Sequence, residues 1–390
     1  MLKVIVVGGG IVGLSTAWAL RRHGAQVTVV EQGSLPNPLG SSVDQHRLIR
    51  YAYGAQAGYC RMVREAFHAW EAVWRDLGAR LYSETGTLVL SGPGDAWAAQ
   101  SRAVLDAEQV EHLAFDAETV VGRWPMLAGA GLGEAYYCPS GGLLFAEAIV
   151  AALTVHLRDR GVTFVTNAAV RGVDAAAGAV TLADGTRLEA DRVLVAAGAW
   201  TSQLLPDLAP VSRPSRQVVV YLAPSADLVA AWHAAPMLLE IGAANDAAAK
   251  GFYLVPPRVT RDGMRTGLKI GDHRFGPTAD PGADREPRQD EIDAILDNAR
   301  HRIADLDQYR VTQAKTCFYD VEADERFQLT PLGPRGFAFC GTSGHGFKFG
   351  PIIGARLAAV LLEKAEVEAT ARWAAGHIID VPASASDSSG

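Results

Sequence analysis

Three glycines near the start constrain this chain more than anything else in it. Gly8, Gly10 and Gly13 form G-x-G-x-x-G, directly after the β-branched run Lys3 to Val7 and directly before the apolar stretch Ile11 to Leu20. That order reads as strand, tight turn and helix. The first glycine permits the turn, the second lets the backbone approach a pyrophosphate, and the third lets the helix pack close to the strand. The helix N-terminus then offers free N–H groups and the positive end of a dipole to the phosphates. A second strand, Gln26 to Glu31, is expected to lie parallel to the first across this crossover helix. It ends in Glu31, 18 positions after Gly13, where a carboxylate can accept ribose hydroxyls and repel a 2′-phosphate.

The chain does not continue as one contiguous nucleotide domain. Tyr59 to Leu77 carries apolar residues at helical spacing, and its aromatic stripe reads as core. Thr85 to Leu90 reads as a strand and Phe145 to Arg160 as a helix. Short strands are expected at Val162 to Val165, Val170 to Val173, Val180 to Leu182 and Arg187 to Leu188, around the turn signal Asp184-Gly185. Arg192 to Ala196 is a buried strand ending in Ala197-Gly198, and Gln217 to Leu222 is another. Glu291 to Leu306 reads as a helix, while Arg258 to Gly263 and Pro277 to Arg288 read as surface loops. Near the end, the strand Phe337 to Cys340 runs into Gly341-Thr342-Ser343-Gly344-His345-Gly346-Phe347-Lys348 and then a helix from about Ile352 to Ala365.

Strands suited to a nucleotide-binding sheet therefore come from the start, the middle and the end. The expected fold mixes α/β and α+β. A Rossmann-type domain built from 1–83, 144–218 and 322–380 is interleaved with a substrate domain on a mostly antiparallel sheet, built from 84–143 and 219–321. A tail at 381–390, rich in Ser, Ala and Asp, is expected to be disordered. A nicotinamide dehydrogenase would put its catalytic segment after one contiguous domain. Interleaving, with a second glycine-rich turn able to bring N–H groups to a flavin ring, favours FAD.

Composition removes other classes. With 36 Lys and Arg against 43 Asp and Glu, the formal charge of −7 argues against nucleic acid as a partner. No apolar run reaches the roughly 18 residues of a membrane span. The apolar start lacks a basic n-region and a small-residue cleavage site, so no secretory signal is expected. Cys60, Cys138, Cys317 and Cys340 fit neither a CxxC metal site nor a disulfide framework, which points to a reducing, cytoplasmic setting and no metal.

Several further segments, in order, carry a family resemblance: Arg47-Leu48-Ile49-Arg50-Tyr51-Ala52-Tyr53-Gly54, Ser140-Gly141-Gly142-Leu143, Ala197-Gly198-Ala199-Trp200, Arg216-Gln217-Val218, Leu268-Lys269-Ile270-Gly271-Asp272-His273, Thr316-Cys317-Phe318-Tyr319, and Ser343-Gly344-His345-Gly346-Phe347-Lys348-Phe349. With the N-terminal motif, they make the chain resemble the FAD-dependent amine oxidases of the D-amino-acid oxidase superfamily. The nearest branch is that of monomeric sarcosine oxidase, N-methyltryptophan oxidase and pipecolate oxidase. The resemblance implies FAD contacts at Gly8, Gly10, Ile11, Val12, Gly13, Glu31, Gln32, Ser41, Ser42, Val170, Ala197, Gly198, Trp200, Gly344, His345, Gly346, Phe347 and Lys348. It further implies a covalent flavin link at Cys317, which by itself reads only as a small buried hydrophobe.

The same resemblance implies that Arg50 and Lys348 hold a substrate carboxylate, for which the planar arginine fork is suited. Arg47 is implied as a second arginine near the flavin; if Arg47 and Arg50 lie on one helical turn, they share a face. Lys269 is implied as the charge that promotes reaction with O2, since it would stabilise superoxide. His273, Tyr319 and His345 match active-site positions, and Tyr253 resembles a mobile-loop tyrosine over the substrate. Two departures stand out: Asp44 and His46 ahead of Arg47, and extra residues within Arg258 to Arg265. The implied function is oxidation of a small amino acid with a secondary or cyclic amine to an imine, by a monomer that passes electrons to O2 and releases hydrogen peroxide. The alternatives are a dehydrogenase with a quinone or protein acceptor, and a subunit that binds FAD structurally.

Overall fold

In the computed structural model, Lys3–Val7 and Gln26–Val30 pair in parallel with the helix Ile11–Arg22 between them, as the glycine motif requires. The structure describes residues 1–241, 251–260, 263–272 and 274–379; His273 and the tail 381–390 lie outside the described residues.

This pair sits inside a six-stranded sheet. Its order is Gln328–Gly333, Gly336–Cys340, Arg192–Val195, Lys3–Val7, Gln26–Val30 and Thr163–Val165. All neighbours are parallel except the first pair. The central strands are continuous apolar runs because both of their faces are covered: Val4, Ile5, Val6, Val193, Leu194 and Val195 are all buried. One covering layer is the N-terminal helix packed on the C-terminal helix Gly350–Leu361. A Cβ at Gly354 would lie 2.4 Å from the Ser15 carbonyl carbon, so glycine is what lets these helices touch backbone to backbone. The helix Ala57–Leu77 adds Tyr59, Trp70 and Trp74 to the same core, as its aromatic stripe predicts.

The second large sheet has eight strands. In order they are Arg310–Val321, Arg213–Ala223, Leu268–Asp272, Phe252–Val255, Met237–Glu240, Thr87–Leu90, Ala135–Cys138 and Leu113–Phe115. Only the pairing of Thr87–Leu90 with Met237–Glu240 is parallel, so the sheet is mostly antiparallel, as expected. The strand Arg213–Ala223 runs unbroken through position 218, where the sequence reading sets a boundary. Arg47–Ile49, Gly142–Leu144 and Tyr82–Glu84 form a separate three-stranded sheet, in the order Arg47–Ile49, Gly142–Leu144, Tyr82–Glu84.

Three expectations need correction. Arg47 and Arg50 do not share a helical turn. Arg47–Ile49 is a strand paired with Gly142–Leu144, and the three-residue spacing sends the two arginines to opposite sides. Tyr253 is not on a loop; it belongs to Phe252–Val255, paired on both edges. The helix read over 291–306 spans Gln289–Ala299. Beyond it, Arg302 is drawn inward to pair with Glu240 at 2.8 Å and to donate to the carbonyls of Ala130 and Gly131. Satisfying a buried guanidinium outweighs one more helical turn.

Candidate active site

The carboxyl ends of the parallel strands Lys3–Val7, Gln26–Val30, Arg192–Val195 and Gly336–Cys340 open into a cavity of about 460 Å³. This is where ligands bind in open α/β sheets. Of the residues expected to contact the cofactor, all line this cavity except Gly13, Cys317, His345 and Lys348. Gly13 is part of the motif for a different reason: its Cβ would lie 2.0 Å from the Gly8 carbonyl oxygen, so it sets the distance between strand and helix. Gly8 has φ +109 and no room for a Cβ against Ala196. The N–H of Ile11, at the helix N-terminus, is held by Ser42 Oγ at 2.9 Å.

Glu31 has two tasks. Its carboxylate accepts from the N–H groups of Gly9 at 2.8 Å and Gly33 at 3.0 Å and from the Asn37 amide at 2.8 Å, which fixes the turn. Glu31 lines the cavity, and its Oε2 takes only one of these bonds, so it keeps acceptor capacity for a hydroxyl. The glycine cradle, the helix N-terminus and this carboxylate fit the pyrophosphate and ribose of a dinucleotide such as FAD.

Two buried charged clusters adjoin the cavity, one on each side of the strand Arg47–Ile49. The first contains Arg50 and Lys348, which the fold brings together from opposite ends of the chain. The Arg50 guanidinium donates to the Ala52 carbonyl and lies 4.6 Å above the Tyr53 ring and 5.9 Å from the Trp97 ring. Lys348 Nζ donates to the Tyr53 hydroxyl at 2.9 Å and to the His345 carbonyl at 2.8 Å. Burial, with Arg50 adding repulsion, holds the Lys348 ammonium well below its ordinary value; Glu325 opposes this. Glu325 is a carboxylate whose charge acts on both Arg50 and Lys348. His345 contacts Tyr53 through Nδ1 at 3.3 Å and donates through Nε2 to the Glu325 carbonyl at 3.0 Å.

The second cluster is centred on Asp44, which sequence reasoning marks only as a departure. Arg47 lines the cavity and pairs with Asp44 Oδ2; its other amine donates to the Ser41 carbonyl at 2.7 Å. Lys269 Nζ lies 3.0 Å from the same Asp44 oxygen and donates to the His46 carbonyl at 2.9 Å. The Tyr221 hydroxyl donates to Asp44 Oδ1. Burial would raise the Asp44 carboxyl, but Lys269, Arg47 and Tyr221 together hold it well below the usual range. Burial lowers Lys269 to about 8, with Asp44 opposing and Arg47 adding to the shift. His46, buried and beside Lys269, is pushed down to about 3 and is therefore neutral.

Cys317 is buried in the strand Arg310–Val321, opposite Gln217, close enough to Arg47, Arg285 and Lys269 to act on their charge. Arg285 was not singled out by the sequence; it lies 4.7 Å above the Phe318 ring and 5.6 Å above that of Trp200. Its segment reads only as a polar loop, so no local signal would have found it. Tyr319 lines the cavity, and its ring would meet a Cβ on Gly344 at 2.3 Å. Burial keeps the Tyr319 and Tyr253 phenols protonated, Tyr319 pushed up to about 12 and Tyr253 well above its usual value.

This architecture has known counterparts. Residues 3–360 match the family described as FAD dependent oxidoreductase. Monomeric sarcosine oxidase of Bacillus sp. (strain NS-129) is 28% identical over 370 residues, 91% of each chain. Human peroxisomal sarcosine oxidase is 27% identical over 360 residues, 90% of this chain and 89% of that one. Among solved structures, NikD, an amino acid oxidase essential for nikkomycin biosynthesis, superimposes with a TM-score of 0.79 at 22% identity, over 96% of this chain and 98% of that one. L-proline dehydrogenase from P. horikoshii superimposes with a TM-score of 0.78 at 18% identity, over 96% of each chain. This chain belongs to the family of FAD-dependent oxidoreductases.

Proposed function

We propose that this protein oxidises the C–N bond of a small amino acid, preferably one with a secondary or cyclic amine, to an imine. The observation that carries the reading is the buried Arg50 and Lys348 pair around Tyr53, next to the glycine turn that lines the cavity. Two buried basic groups side by side, eased by the charge of Glu325, are stabilised further when an anion joins them. A substrate carboxylate on Arg50 and Lys348 supplies that anion and favours the charged form of Lys348. It also fixes the substrate's orientation, so that binding energy becomes positioning.

FAD, once bound, would supply the two-electron chemistry of C–N oxidation, with O2 as the final acceptor and hydrogen peroxide as its product. Gly8 to Val12, Glu31 and the loop Gly344 to Phe347 would hold the cofactor, with Tyr319 also lining the cavity and His345 in the adjoining loop. Cys317 is the point of covalent attachment, buried in the strand Arg310–Val321 among Arg47, Arg285 and Lys269. Lys269 provides positive charge for the reaction with O2. The six-stranded sheet with its helices is the FAD domain and the eight-stranded sheet the substrate domain, with Arg213–Ala223 placed wholly in the latter. His273, outside the described residues, remains assigned to the substrate side by resemblance alone. Among the described residues no helix is long and apolar enough to cross a membrane. The four unpaired cysteines fit a cytoplasmic setting, and a monomer fits a site built from one chain.

The test is anaerobic bleaching of the flavin by a panel of sarcosine, N-methyl amino acids, proline, pipecolate and common L- and D-amino acids. Bleaching by a secondary or cyclic amino acid is expected. A fully folded, flavin-loaded protein that no member of the panel reduces would contradict the proposal and favour a structural flavin.

A further inference from the structure

An amino acid in neutral water carries an ammonium as well as a carboxylate, and its amine must lose a proton before the C–N bond can be oxidised. The hydrogens around Lys348 show where that proton can go. Lys348 is buried, and its Nζ donates to the Tyr53 hydroxyl at 2.9 Å and to the His345 carbonyl at 2.8 Å. The direction of the first bond is fixed from behind. His345 Nε2 lies 3.0 Å from the Glu325 carbonyl, which can only accept, so Nε2 carries the ring hydrogen. Nδ1 of the neutral ring then accepts from the Tyr53 hydroxyl at 3.3 Å, and burial keeps that phenol protonated. The Tyr53 oxygen is left to accept from Lys348. Two acceptors engage two N–H hydrogens, which is all that a neutral amine has. The remaining position on Nζ is a lone pair in the neutral form and a third N–H in the charged form.

We infer that Lys348 takes the proton that the substrate ammonium must lose, so that docking the carboxylate and freeing the amine are one event. The inference rests on the reading of Arg50 and Lys348 given above. An N–H bond of the ammonium breaks, its electron pair stays on the amine nitrogen, and the proton forms the third N–H bond on Nζ. Nothing is oxidised in this step, and no proton goes to solvent. A single carbon separates the amine from the carboxylate of an α-amino acid, so a group bound to the carboxylate is within reach of the ammonium. The two basic residues then have different tasks. Arg50 keeps its charge throughout and recognises the carboxylate. Lys348 gains its charge on binding: burial and the neighbouring Arg50 disfavour its ammonium, Glu325 opposes them, and the arriving carboxylate adds to Glu325. The groups nearby are less suited as acceptors. Both ring nitrogens of His345 are engaged, the Tyr253 and Tyr319 phenols stay protonated, and Asp44 is taken up by Arg47, Lys269 and Tyr221.

The alternative is that Lys348 is only a fixed cation. Lys348→Arg separates the two roles, because arginine keeps the charge and cannot accept a proton. In the intact holoenzyme, the second-order rate of anaerobic flavin reduction by sarcosine and by proline is measured at low substrate from pH 7 to pH 9. The wild-type rate should be nearly flat, since the proton lost by the ammonium is the one gained by Lys348. In Lys348→Arg solvent must remove that proton, so the rate should rise about tenfold per pH unit toward the pKa of the free ammonium. If the arginine variant does not fold, Lys348→Gln, which cannot accept a proton either, carries the same expectation. A second readout needs no turnover. Acetate has a carboxylate and no ammonium, so its binding at pH 8, followed by flavin absorbance, should draw a proton from weakly buffered solvent, and a pH indicator reads the uptake. The uptake should be lost in Lys348→Arg. If wild type and Lys348→Arg share one pH profile, or acetate binds the wild-type enzyme without taking up a proton, Lys348 is only a fixed cation and the inference fails alone. If neither amino acid reduces the flavin, the proposed oxidation is what fails, and acetate still reads the proton. If acetate does not bind, the carboxylate reading of Arg50 and Lys348 and the inference fall together.

Discussion

At the scale of single residues, the site separates two charges that the sequence writes close together. Arg47 and Arg50 stand three positions apart, yet one lines the cavity with Asp44 and the other lies over Tyr53. Removing Arg50 should therefore act on substrate and leave the oxygen step largely alone. Arg50→Met should raise KM for an amino acid about 10²-fold, the scale of losing one partner of a buried charge pair. Turnover of a matching amine without the carboxylate should change little; steady-state kinetics on the two substrates checks this. Lys269 gives a pH prediction. Burial lowers it to about 8, so its charge is present at neutral pH and is lost as pH rises through about 8. Reoxidation by O2 should slow between pH 7 and pH 9, and the slope should disappear in Lys269→Met. Stopped-flow reoxidation across that range reads both.

Elements explain why some of this was legible beforehand and some was not. The glycine motif, its strand and its helix were readable because each glycine answers a local constraint: a turn at Gly8, a close approach at Gly13. The amphipathic helix at Ala57–Leu77 was readable from its period alone. The helices Ala96–Ala107 and Ala117–Arg123 were missed, although Asp95 and Asp116 cap them through side-chain bonds to Trp97, Ala98 and Thr119 N–H groups; their short, alanine-rich or polar faces carry little period. The Asp44 cluster was illegible for another reason. Asp44, Tyr221 and Lys269 meet only because Arg213–Ala223 and Leu268–Asp272 pair with Tyr221 opposite Lys269, a register no local pattern records.

Asp320 offers a test at this same scale. It lies next to the end of the strand Arg310–Val321 and ties it to the second glycine turn, accepting from Ser212 Oγ at 2.6 Å and Gly341 N–H at 2.7 Å. Burial raises its carboxyl to about 7, against those donors. A group whose folded pKa exceeds the unfolded value of about 3.9 contributes stability fully present below that value and lost as pH rises through the folded one. The wild-type Tm should therefore fall relative to that of Asp320→Asn as pH increases from 5 to 8. Parallel Tm profiles for the two proteins would refute this role.

For the whole molecule, the chain order and the spatial order disagree. The six-stranded sheet takes its central strands from Lys3–Val7 and Arg192–Val195 and its next neighbour from Gly336–Cys340. The N-terminal helix lies against Gly350–Leu361, the last large helix of the fold. No contiguous half of the chain contains a complete sheet and its cover. Residues 1–218 expressed alone should fail to fold cooperatively and should not retain FAD. Replacing Gly354 by Leu in the full chain should have a similar effect, because Ser15 backbone occupies the space. Thermal melts and flavin content report both outcomes. The interleaving was visible in the sequence as strand signals at three separated places. The side chains on the substrate wall were not, because they come from strands whose partners lie far away in sequence.

The central claim is that an amino acid is oxidised while its carboxylate rests on Arg50 and Lys348. Anaerobic stopped-flow reduction of the flavin, comparing a secondary amino acid with the same amine lacking its carboxylate, tests it most directly. The account predicts fast, saturable reduction by the acid, slow reduction by the bare amine, and loss of the difference in Arg50→Met. Equal reduction by acid and amine in the wild-type protein would contradict it.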